Sequence, residues 1–375
     1  MGSHKFTKVI IKMEHIENFD KKVLAAGYLI HRTLPQDLKE EDAHYFRHEY
    51  NIAIPDCQIF VFHNAYYSED AVIYTNKLRL VERSVVDKEW IDKFRLRYAL
   101  SNFVKKSKYI IDDNNYYLSV IDLWSSGFAH WILDSLPRLY ASRELHKDCY
   151  LILPESHNQG YILETLKMFQ FKGIKFFPKQ TYCKIKNLVL VTHAAPQGSL
   201  HEELSQGLRQ YAWNYCKTTG LDNFSRGEKI YISRSKAPKR HVLNEEEVVK
   251  TVIELGFTVI NFEDYTIFEQ MAIMKNAKYV ATLHGAGVSN MIFMPSNTHY
   301  LEIRRKGDTH NNHFFALASA MKINYWYQLA DFKASPKADG KSFDLMMGNY
   351  YDVVIDVEEL KSILNKMMAK GVKEV

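Results

Sequence analysis

Residues 279–303 constrain the fold of this chain more than any other stretch. An apolar strand at 279–283 runs directly into the glycine-rich turn HGAG at 284–287, and an apolar helical turn at 288–294 and a second strand at 300–303 follow. In such a unit the amides of the turn can approach a ligand, and the positive end of the helix dipole faces an anion. The pattern therefore predicts an α/β fold with a site for a nucleotide diphosphate.

The alternation of strands and helices is regular after residue 227. The predicted strands are 229–233, 257–261, 278–283, 300–303 and 323–329, and the predicted helices are 244–255, 266–276 and 313–321. Asn244, with Glu247 three residues later, predicts a capping box at the start of the first of these helices. This rhythm predicts a doubly wound parallel sheet, which binds ligands at the carboxyl ends of its strands.

The first half of the chain is organised differently. Short β-branched and aromatic runs separated by polar turns predict a β-rich segment at 50–86, and 87–110 is predicted to be helical. Strands and helices then alternate, including a helix at 128–139 that carries a proline near its end. The polar, glycine-containing stretch 218–227 is the predicted linker.

At about 150 residues per domain, 375 residues predict two domains. We place the N-terminal domain at 1–220 and the C-terminal domain at 221–340. In the remaining segment, 341–375, we predict a helix at 357–369. One arrangement open to this helix is to pack back on the first domain.

The net charge of the chain excludes few classes of partner. A formal charge of +5 and a pI near 8.7 fall short of the concentrated basic patch of nucleic-acid-binding proteins, so no nucleic-acid partner is expected. The charge fits an anionic substrate or a peripheral contact with a membrane, and an even spread without functional meaning is the alternative. Four separated cysteines and the lack of a long apolar run predict a cytoplasmic protein, with a peripheral position at the inner membrane left open.

Several polar residues follow predicted strands or begin predicted helices in the second half. The candidates for binding a nucleotide are Arg234, Arg240, Glu269, His284, Gly285, Ala286, Gly287 and Glu302. The arginines can bind a diphosphate, and the turn amides and the histidine can donate to phosphate. Glu302 can reach the ribose, and Glu269 can reach the sugar or the base. The alternatives are an ordinary glycine turn, a core histidine, a solvated basic loop and acids that stabilise a helix start.

A second group lies in the sequence GFAHWILDSLPRL at 127–139. His130 and Asp134 are four residues apart in the predicted helix and therefore lie on one face. A histidine oriented by a carboxylate is a common base for removing a proton from a hydroxyl group, so these two are the catalytic candidates. Local hydrogen bonding at a helix start is the alternative.

No metal-binding motif is present in the sequence. Neither HExxH nor a DxD motif at a strand end occurs, so we expect no essential metal and no cofactor.

Taken together, the stretches GFAHWILDSLPRLY, YISRSKAPKR, FEDYTIFEQMAIMKNAKYVATLHGAGVSNMIFMP and YLEI resemble glycosyltransferase family 61 over roughly residues 120–330. The resemblance implies a GT-B architecture, with two Rossmann-like domains facing a cleft, here with the additional N-terminal β-rich segment. It implies an inverting, metal-independent hexosyl- or pentosyltransferase with a nucleotide-sugar donor, often UDP-linked, on the C-terminal domain. The acceptor and the base, His130 or Asp134, would then belong to the N-terminal domain.

Within the family, the chain resembles bacterial members that assemble capsule or lipopolysaccharide, because it shows neither the signal nor the membrane anchor of eukaryotic members. The implied partners are a nucleotide sugar and a glycan or lipid-linked glycan acceptor.

Two other classes of protein are alternatives to a glycosyltransferase. An NAD-dependent oxidoreductase lacks support because HGAG does not have the GxGxxG spacing, and a non-catalytic carbohydrate- or nucleotide-binding protein of the same fold would not need the His130 and Asp134 face.

Overall fold

Residues 21–195, 198–334 and 351–373 are described by a computed structural model. The predictions for residues 1–20, 196–197, 335–350 and 374–375 lie outside the described residues. The described part of the chain is a mixed α/β protein, which confirms the predicted fold class at that level.

Sixteen strands and eight α-helical segments make up the described part. The strands are β1 (Lys22–Ala25), β2 (Tyr28–His31), β3 (Asn51–Ile54), β4 (Cys57–Ser68), β5 (Ile73–Tyr74), β6 (Ser107–Ile111), β7 (Tyr116–Ser119), β8 (Cys149–Pro154), β9 (Gly173–Phe177), β10 (Thr181–Val191), β11 (Lys229–Ile232), β12 (Thr258–Ile260), β13 (Tyr279–Leu283), β14 (His299–Arg305), β15 (Asn324–Ala334) and β16 (Tyr351–Val354). The helices are α1 (Leu96–Lys105), α2 (Phe128–His130, continued by Trp131–Ser135 and Leu136–Ala141), α3 (Gly160–Leu166), α4 (Glu202–Thr218), α5 (Glu245–Glu254), α6 (Ile267–Asn276), α7 (His313–Met321) and α8 (Val357–Lys373).

The chain divides into two compact units. The first comprises Met1–Gly27 and Pro55–Gln197, and the second comprises Tyr28–Ile54 and Gly198–Val375. The division falls earlier than the predicted linker at 218–227, so α4 belongs to the second unit, as does the short N-terminal segment that forms β2 and β3.

The first unit contains an eight-stranded sheet in the order β1-β4-β10-β7-β8-β9, with β5 beside β4 and β6 beside β10. Strands β7, β8 and β9 run parallel, as do β10 and β7, whereas β4 is antiparallel to β10. The parallel strands β7 and β10 therefore deliver the residues that follow them to one edge of the sheet.

The β-rich segment predicted at 50–86 is present as β3, β4 and β5. The helix predicted at 87–110 is only partly correct, because α1 ends at Lys105 and residues 107–111 form β6. Tyr109, Ile110 and Ile111 favour an extended backbone, and β6 gains a parallel ladder with β10.

The second unit contains a six-stranded sheet in the order β12-β11-β13-β14-β15-β16. All neighbours are parallel except β15 and β16, so the regular alternation after residue 227 did predict a parallel sheet. Helix α8 places Leu360, Leu364 and Met367, none of them exposed, in the core of this same unit. The apolar face of this helix is therefore buried within the second unit.

The capping box predicted at Asn244 and Glu247 is wrong. The Asn244 side chain accepts a hydrogen bond from the Ile355 amide at 3.0 Å and donates to the Ile355 carbonyl at 2.8 Å. The amide side chain therefore joins α5 to the chain after β16 and does not cap the helix.

Candidate active site

The glycine-rich turn leaves the carboxyl end of β13, as predicted. A 3₁₀ helix, Ala286–Phe293, begins directly after Gly285, and Val288 makes an early bond by donating from its amide to the Gly285 carbonyl at 3.0 Å. The amides of Ala286 and Gly287 precede this bond at the positive end of the helix, where helix amides lack intrahelical acceptors. The turn therefore has the geometry of an anion site.

The loop after β11 brings Arg234 to the same turn. Its guanidinium donates to the carbonyls of Lys239 at 2.8 Å and Arg240 at 3.1 Å. A Cβ atom added to Gly285 would lie 2.1 Å from Arg234 Nη1, so the absence of a side chain at 285 is what admits the guanidinium. Since β11 and β13 are parallel neighbours, the sheet itself joins the two motifs.

Burial lowers the pKa of Arg234 to about 10, and the positive charge of Arg240 contributes. The guanidinium therefore remains cationic at neutral pH. Arg240 itself has a left-handed backbone, with φ of 61°, and its buried Nε has no hydrogen-bond partner among the described residues. Two arginines thus lie in one loop, and one of them has an unsatisfied donor.

Glu302 lies in the interior of the second unit. The residue is 0% exposed, and its two oxygens accept from His284 Nδ1 and from Tyr325 Oη, each at 2.5 Å. Burial alone would raise the pKa of Glu302, but the hydrogen bond and charge of His284, together with Arg304, lower it overall. A buried carboxylate with both oxygens engaged is a positioning group for His284, and its predicted contact with a ribose stays a prediction.

Glu302 engages only one of the two ring nitrogens of His284. Nδ1 is bound to Glu302, the ring packs 5.2 Å from the ring of Phe314, and the side chain is 11% exposed. The carboxylate thereby fixes the ring, and Nε2 is the nitrogen through which His284 can contact a ligand.

Glu269 forms a capping box at the start of α6. Its Oε2 accepts from the Thr266 amide at 2.8 Å, and the Thr266 hydroxyl accepts from the Glu269 amide at 3.3 Å. This contact gives Glu269 a structural role, whereas its predicted contact with a sugar or base stays a prediction.

His130 and Asp134 meet in the first unit. His130 Nδ1 lies 2.8 Å from Asp134 Oδ2, with 45% of the histidine side chain exposed and 10% of the aspartate side chain. The five residues Trp131–Ser135 form a π-helical stretch within α2, a local widening often found at functional sites. The pair therefore has one buried carboxylate and one accessible imidazole.

Both members of this pair bind protons more tightly than usual. Burial raises the pKa of Asp134 to about 6, which the hydrogen bond from His130 only partly offsets. Burial alone would lower the pKa of His130, but its hydrogen bond to Asp134 and the charges of Asp134 and Asp122 raise it overall. A carboxylate that stabilises the imidazolium makes the imidazole a stronger base.

Residues 128–301 match the model of the family Glycosyltransferase 61. These residues form a glycosyltransferase family 61 domain. The resemblance expected from the sequence is confirmed, and with it the enzyme class, glycosyltransferase. A comparison with curated proteins finds no match to the chain.

The matched range of this glycosyltransferase contains all the candidates of both groups except Glu302. It begins two residues before His130 and ends one residue before Glu302, and it includes the loop of Arg234 and the turn 284–287. The family match therefore covers His130 and Asp134 in the first unit, and Arg234 with the glycine-rich turn in the second.

Sequence reasoning missed a buried cluster beside the His130 pair. Asp122 Oδ2 lies 3.5 Å from His193 Nε2 and 3.7 Å from Arg138 Nη1, and these three atoms have no hydrogen-bond partner among the described residues. Burial alone would raise the pKa of Asp122, but His193 and Arg138 hold it well below its usual value. Asp122 Oδ1 accepts from the Trp124 amide at 2.9 Å, and the Trp124 ring lies 5.5 Å from that of His130.

A signal for this cluster was present in the sequence. Asp122 follows β7 and His193 follows β10, so a polar residue comes shortly after each of two buried, neighbouring parallel strands. Arg138 is four residues beyond Asp134 in α2 and extends the same face of the helix. What was missing from the sequence was the pairing of β7 with β10.

Two further properties of the glycosyltransferase concern metals and membranes. Within residues 21–195, 198–334 and 351–373, no group of three or more His, Cys, Asp or Glu side chains is arranged to hold a metal ion. In the same part of the chain, no helix has the length and apolar character needed to span a bilayer. The expected independence from metal stays a prediction.

Proposed function

We propose that this glycosyltransferase is inverting and transfers a sugar from a nucleotide-sugar donor, UDP-linked, to a hydroxyl of a glycan acceptor. The second unit would hold the donor, the first unit would supply the acceptor side and the base, and the GT-B architecture belongs to the same proposal. The observation that carries it is the contact between Arg234 and Gly285, because it joins a buried cation to amides at a helix start. A cation and convergent amides are the chemistry that binds a diphosphate.

The leaving group in this reaction is the nucleoside diphosphate. Arg234, Arg240 and the amides of Ala286 and Gly287 would stabilise the negative charge that develops as the glycosidic bond breaks. His284, held through Nδ1 by Glu302, would donate from Nε2 to a phosphate oxygen. Fixed positive groups of this kind supply charge stabilisation without a metal ion.

The acceptor hydroxyl would lose its proton to His130. The hydroxyl oxygen attacks the anomeric carbon opposite the diphosphate, the bond to the diphosphate breaks, and His130 Nε2 takes the proton while Asp134 stabilises the imidazolium. Asp134 is itself the alternative base, since its pKa is near 6 and it shares a hydrogen bond with His130. One displacement inverts the anomeric configuration.

The proposal also concerns the biological setting of the enzyme. We infer a role in bacterial surface polysaccharide synthesis, such as capsule or lipopolysaccharide, on the cytoplasmic side of the membrane. It is supported by the four cysteines, which are buried and form no disulfide bond, as is usual in a reducing compartment.

Turnover of defined donors tests the proposal. The protein would be incubated with UDP-, GDP-, CMP- and dTDP-sugars in excess EDTA, and release of the free nucleotide and the anomeric configuration of the product measured by proton NMR. We expect turnover of a UDP-sugar with inversion, unchanged by EDTA. Retention of configuration, or turnover that requires added magnesium, would refute the mechanism.

A further inference from the structure

The positive charge of this chain is concentrated in one segment. Residues 93–111, KFRLRYALSNFVKKSKYII, contain six Lys or Arg side chains and no Asp or Glu. The whole chain has 49 basic and 44 acidic residues, which gives a formal charge of +5. Outside this segment, 43 basic residues and 44 acidic residues nearly cancel. The segment therefore accounts for the entire net charge, which contradicts an even spread.

The same segment exposes apolar side chains in the first unit. Val104 is 82% exposed and Leu100 is 46% exposed, and the two are four residues apart on one face of α1. On the next element, β6, Ile110 is 55% exposed. Another side of α1 is anchored, because Ala99 is 0% exposed and packs in an apolar cluster with Phe94.

The cations around these apolar side chains are only partly neutralised. Arg95 pairs with Asp92 at 3.1 Å and approaches Glu82, while Lys106 pairs with Glu69 at 2.8 Å. The exposed side chains of Lys105 and Lys108 form no ion pair with a carboxylate of the described residues.

One more cation on this segment lies against an aromatic ring rather than an acid. The ammonium group of Lys93 is 3.9 Å from the centroid of the Trp90 ring, and its charge also lowers the pKa of the Asp70 carboxyl, which burial raises. Three lysines without an ion pair among the described residues thus accompany three exposed apolar side chains.

We propose that this surface, formed by Lys93, Leu100, Val104, Lys105, Lys108 and Ile110, docks the protein on an anionic lipid bilayer. Cations attract the surface to anionic headgroups, and apolar side chains beside them enter the boundary between headgroups and acyl chains. A soluble polyanion would be bound by the charges alone and would leave Val104 and Leu100 in water, so the apolar exposure favours a lipid surface. The inference does not depend on the proposed donor or base.

Vesicle co-sedimentation tests the charged part of the surface. The protein would be mixed at low and at physiological salt with vesicles of phosphatidylcholine alone, or of phosphatidylcholine with 30% phosphatidylglycerol. We expect binding to the anionic vesicles, and binding at least about tenfold weaker for the double variant Lys105→Glu and Lys108→Glu, since each cation near an anionic surface contributes about 1 kcal/mol.

A matched control separates the location of the charge from its amount. Lys147 and Lys167 are exposed lysines of the same unit, outside the segment. The double variant Lys147→Glu and Lys167→Glu makes the same change in net charge, and we expect it to bind anionic vesicles as the unaltered protein does. Equal losses in both double variants would overturn the proposal, because attraction by net charge would then explain the binding.

The apolar part has its own readout. A Val104→Cys variant labelled with an environment-sensitive fluorophore should show a blue shift with anionic vesicles and none with dextran sulfate. Replacing Leu100 and Val104 by serine should remove the fraction of binding that survives physiological salt. Binding to dextran sulfate without binding to vesicles, or an unshifted label on vesicle-bound protein, would refute a lipid surface as the partner. Thermal unfolding of each variant verifies its fold.

Discussion

Two carboxylates act on the proton affinity of His130 at the residue scale. Asp134 bonds to the ring directly, while Asp122 contributes through its negative charge and through Trp124, whose amide it binds and whose ring packs against the imidazole. Asp122 stays ionised because His193 and Arg138 lower its pKa. Both carboxylates raise the pKa of His130, and Asp122 raises that of Asp134 as well.

Removal of the Asp122 charge should therefore move the pH dependence of turnover. A base works only after it loses its proton, so the acid limb of kcat/KM lies near the apparent pKa of the pair. In Asp122→Asn the pKa values of His130 and Asp134 both fall, and we expect the acid limb to shift to lower pH by about one unit. NMR titration of labelled histidine measures the same shift without substrate.

Asp113→Asn is the matched control for that change. Asp113 is an exposed carboxylate before the other end of β7, where it accepts from Tyr117 Oη at 2.8 Å. Its replacement should leave the acid limb in place. An unmoved limb in Asp122→Asn, or a move to higher pH, would contradict the electrostatic role of Asp122.

His130→Ala tests the base itself. Without the imidazole the acceptor hydroxyl has no oriented proton acceptor, and we expect kcat to fall by ~10²–10⁴. Donor affinity, measured by calorimetric titration with UDP, should change little because His130 lies outside the unit that holds Arg234 and the glycine turn. Unchanged turnover would rule out His130 as the base and favour Asp134.

At the scale of elements, the site of the second unit depends on a close approach between a loop and a turn. The two glycines of the HGAG turn differ in what surrounds them. A Cβ at Gly285 would meet Arg234 Nη1 at 2.1 Å, whereas a Cβ at Gly287 would meet only Phe262, at an ordinary 3.5 Å.

Gly285→Ala should therefore weaken donor binding, and Gly287→Ala serves as the matched control. In the first variant the guanidinium must leave the turn, and we expect affinity for UDP to fall at least tenfold in calorimetric titration, a loss of about 1.4 kcal/mol. The second variant should bind within a factor of about three of the unaltered protein. Equal affinities in the two variants would show that the contact does not matter for the donor.

The start of α6 offers a second comparison. If Glu269 serves the capping box, then Glu269→Ala and Thr266→Ala should each lower the free energy of unfolding by about 1 kcal/mol, because both remove one reciprocal cap. We expect both variants to keep their affinity for UDP. A loss of donor affinity in Glu269→Ala but not in Thr266→Ala would assign Glu269 to the donor, as the sequence first predicted.

For the whole molecule, the parts that the sequence predicted well are those fixed by local pattern. The strands of the second unit and the turn 284–287 follow from alternating apolar runs, a glycine pair and short spacing. The i, i+4 pairing of His130 and Asp134 follows from helix geometry alone. These features need no knowledge of which strand lies beside which.

The parts that were missed depend on contacts distant in the sequence. Asn244 has the spacing of a capping box, yet its side chain binds Ile355, which lies 111 residues away. Glu302 was predicted as a ribose-binding acid, and its buried partners, Tyr325 on β15 and His284 directly after β13, were not foreseen. In each case a tertiary partner competes with the local signal, and only strand order reveals that partner.

Thermal unfolding with nucleotides tests the central claim, that the second unit binds the nucleoside diphosphate of the donor through Arg234. The protein and its Arg234→Gln variant would be heated with UDP, GDP, CMP, dTDP or NAD, in EDTA or in magnesium. Ligand at 100-fold over its Kd stabilises by about 2.7 kcal/mol, so we predict a clear rise in Tm with UDP, unchanged by EDTA and lost in the variant. A rise with NAD alone, or an equal rise with UDP in Arg234→Gln, would contradict the account.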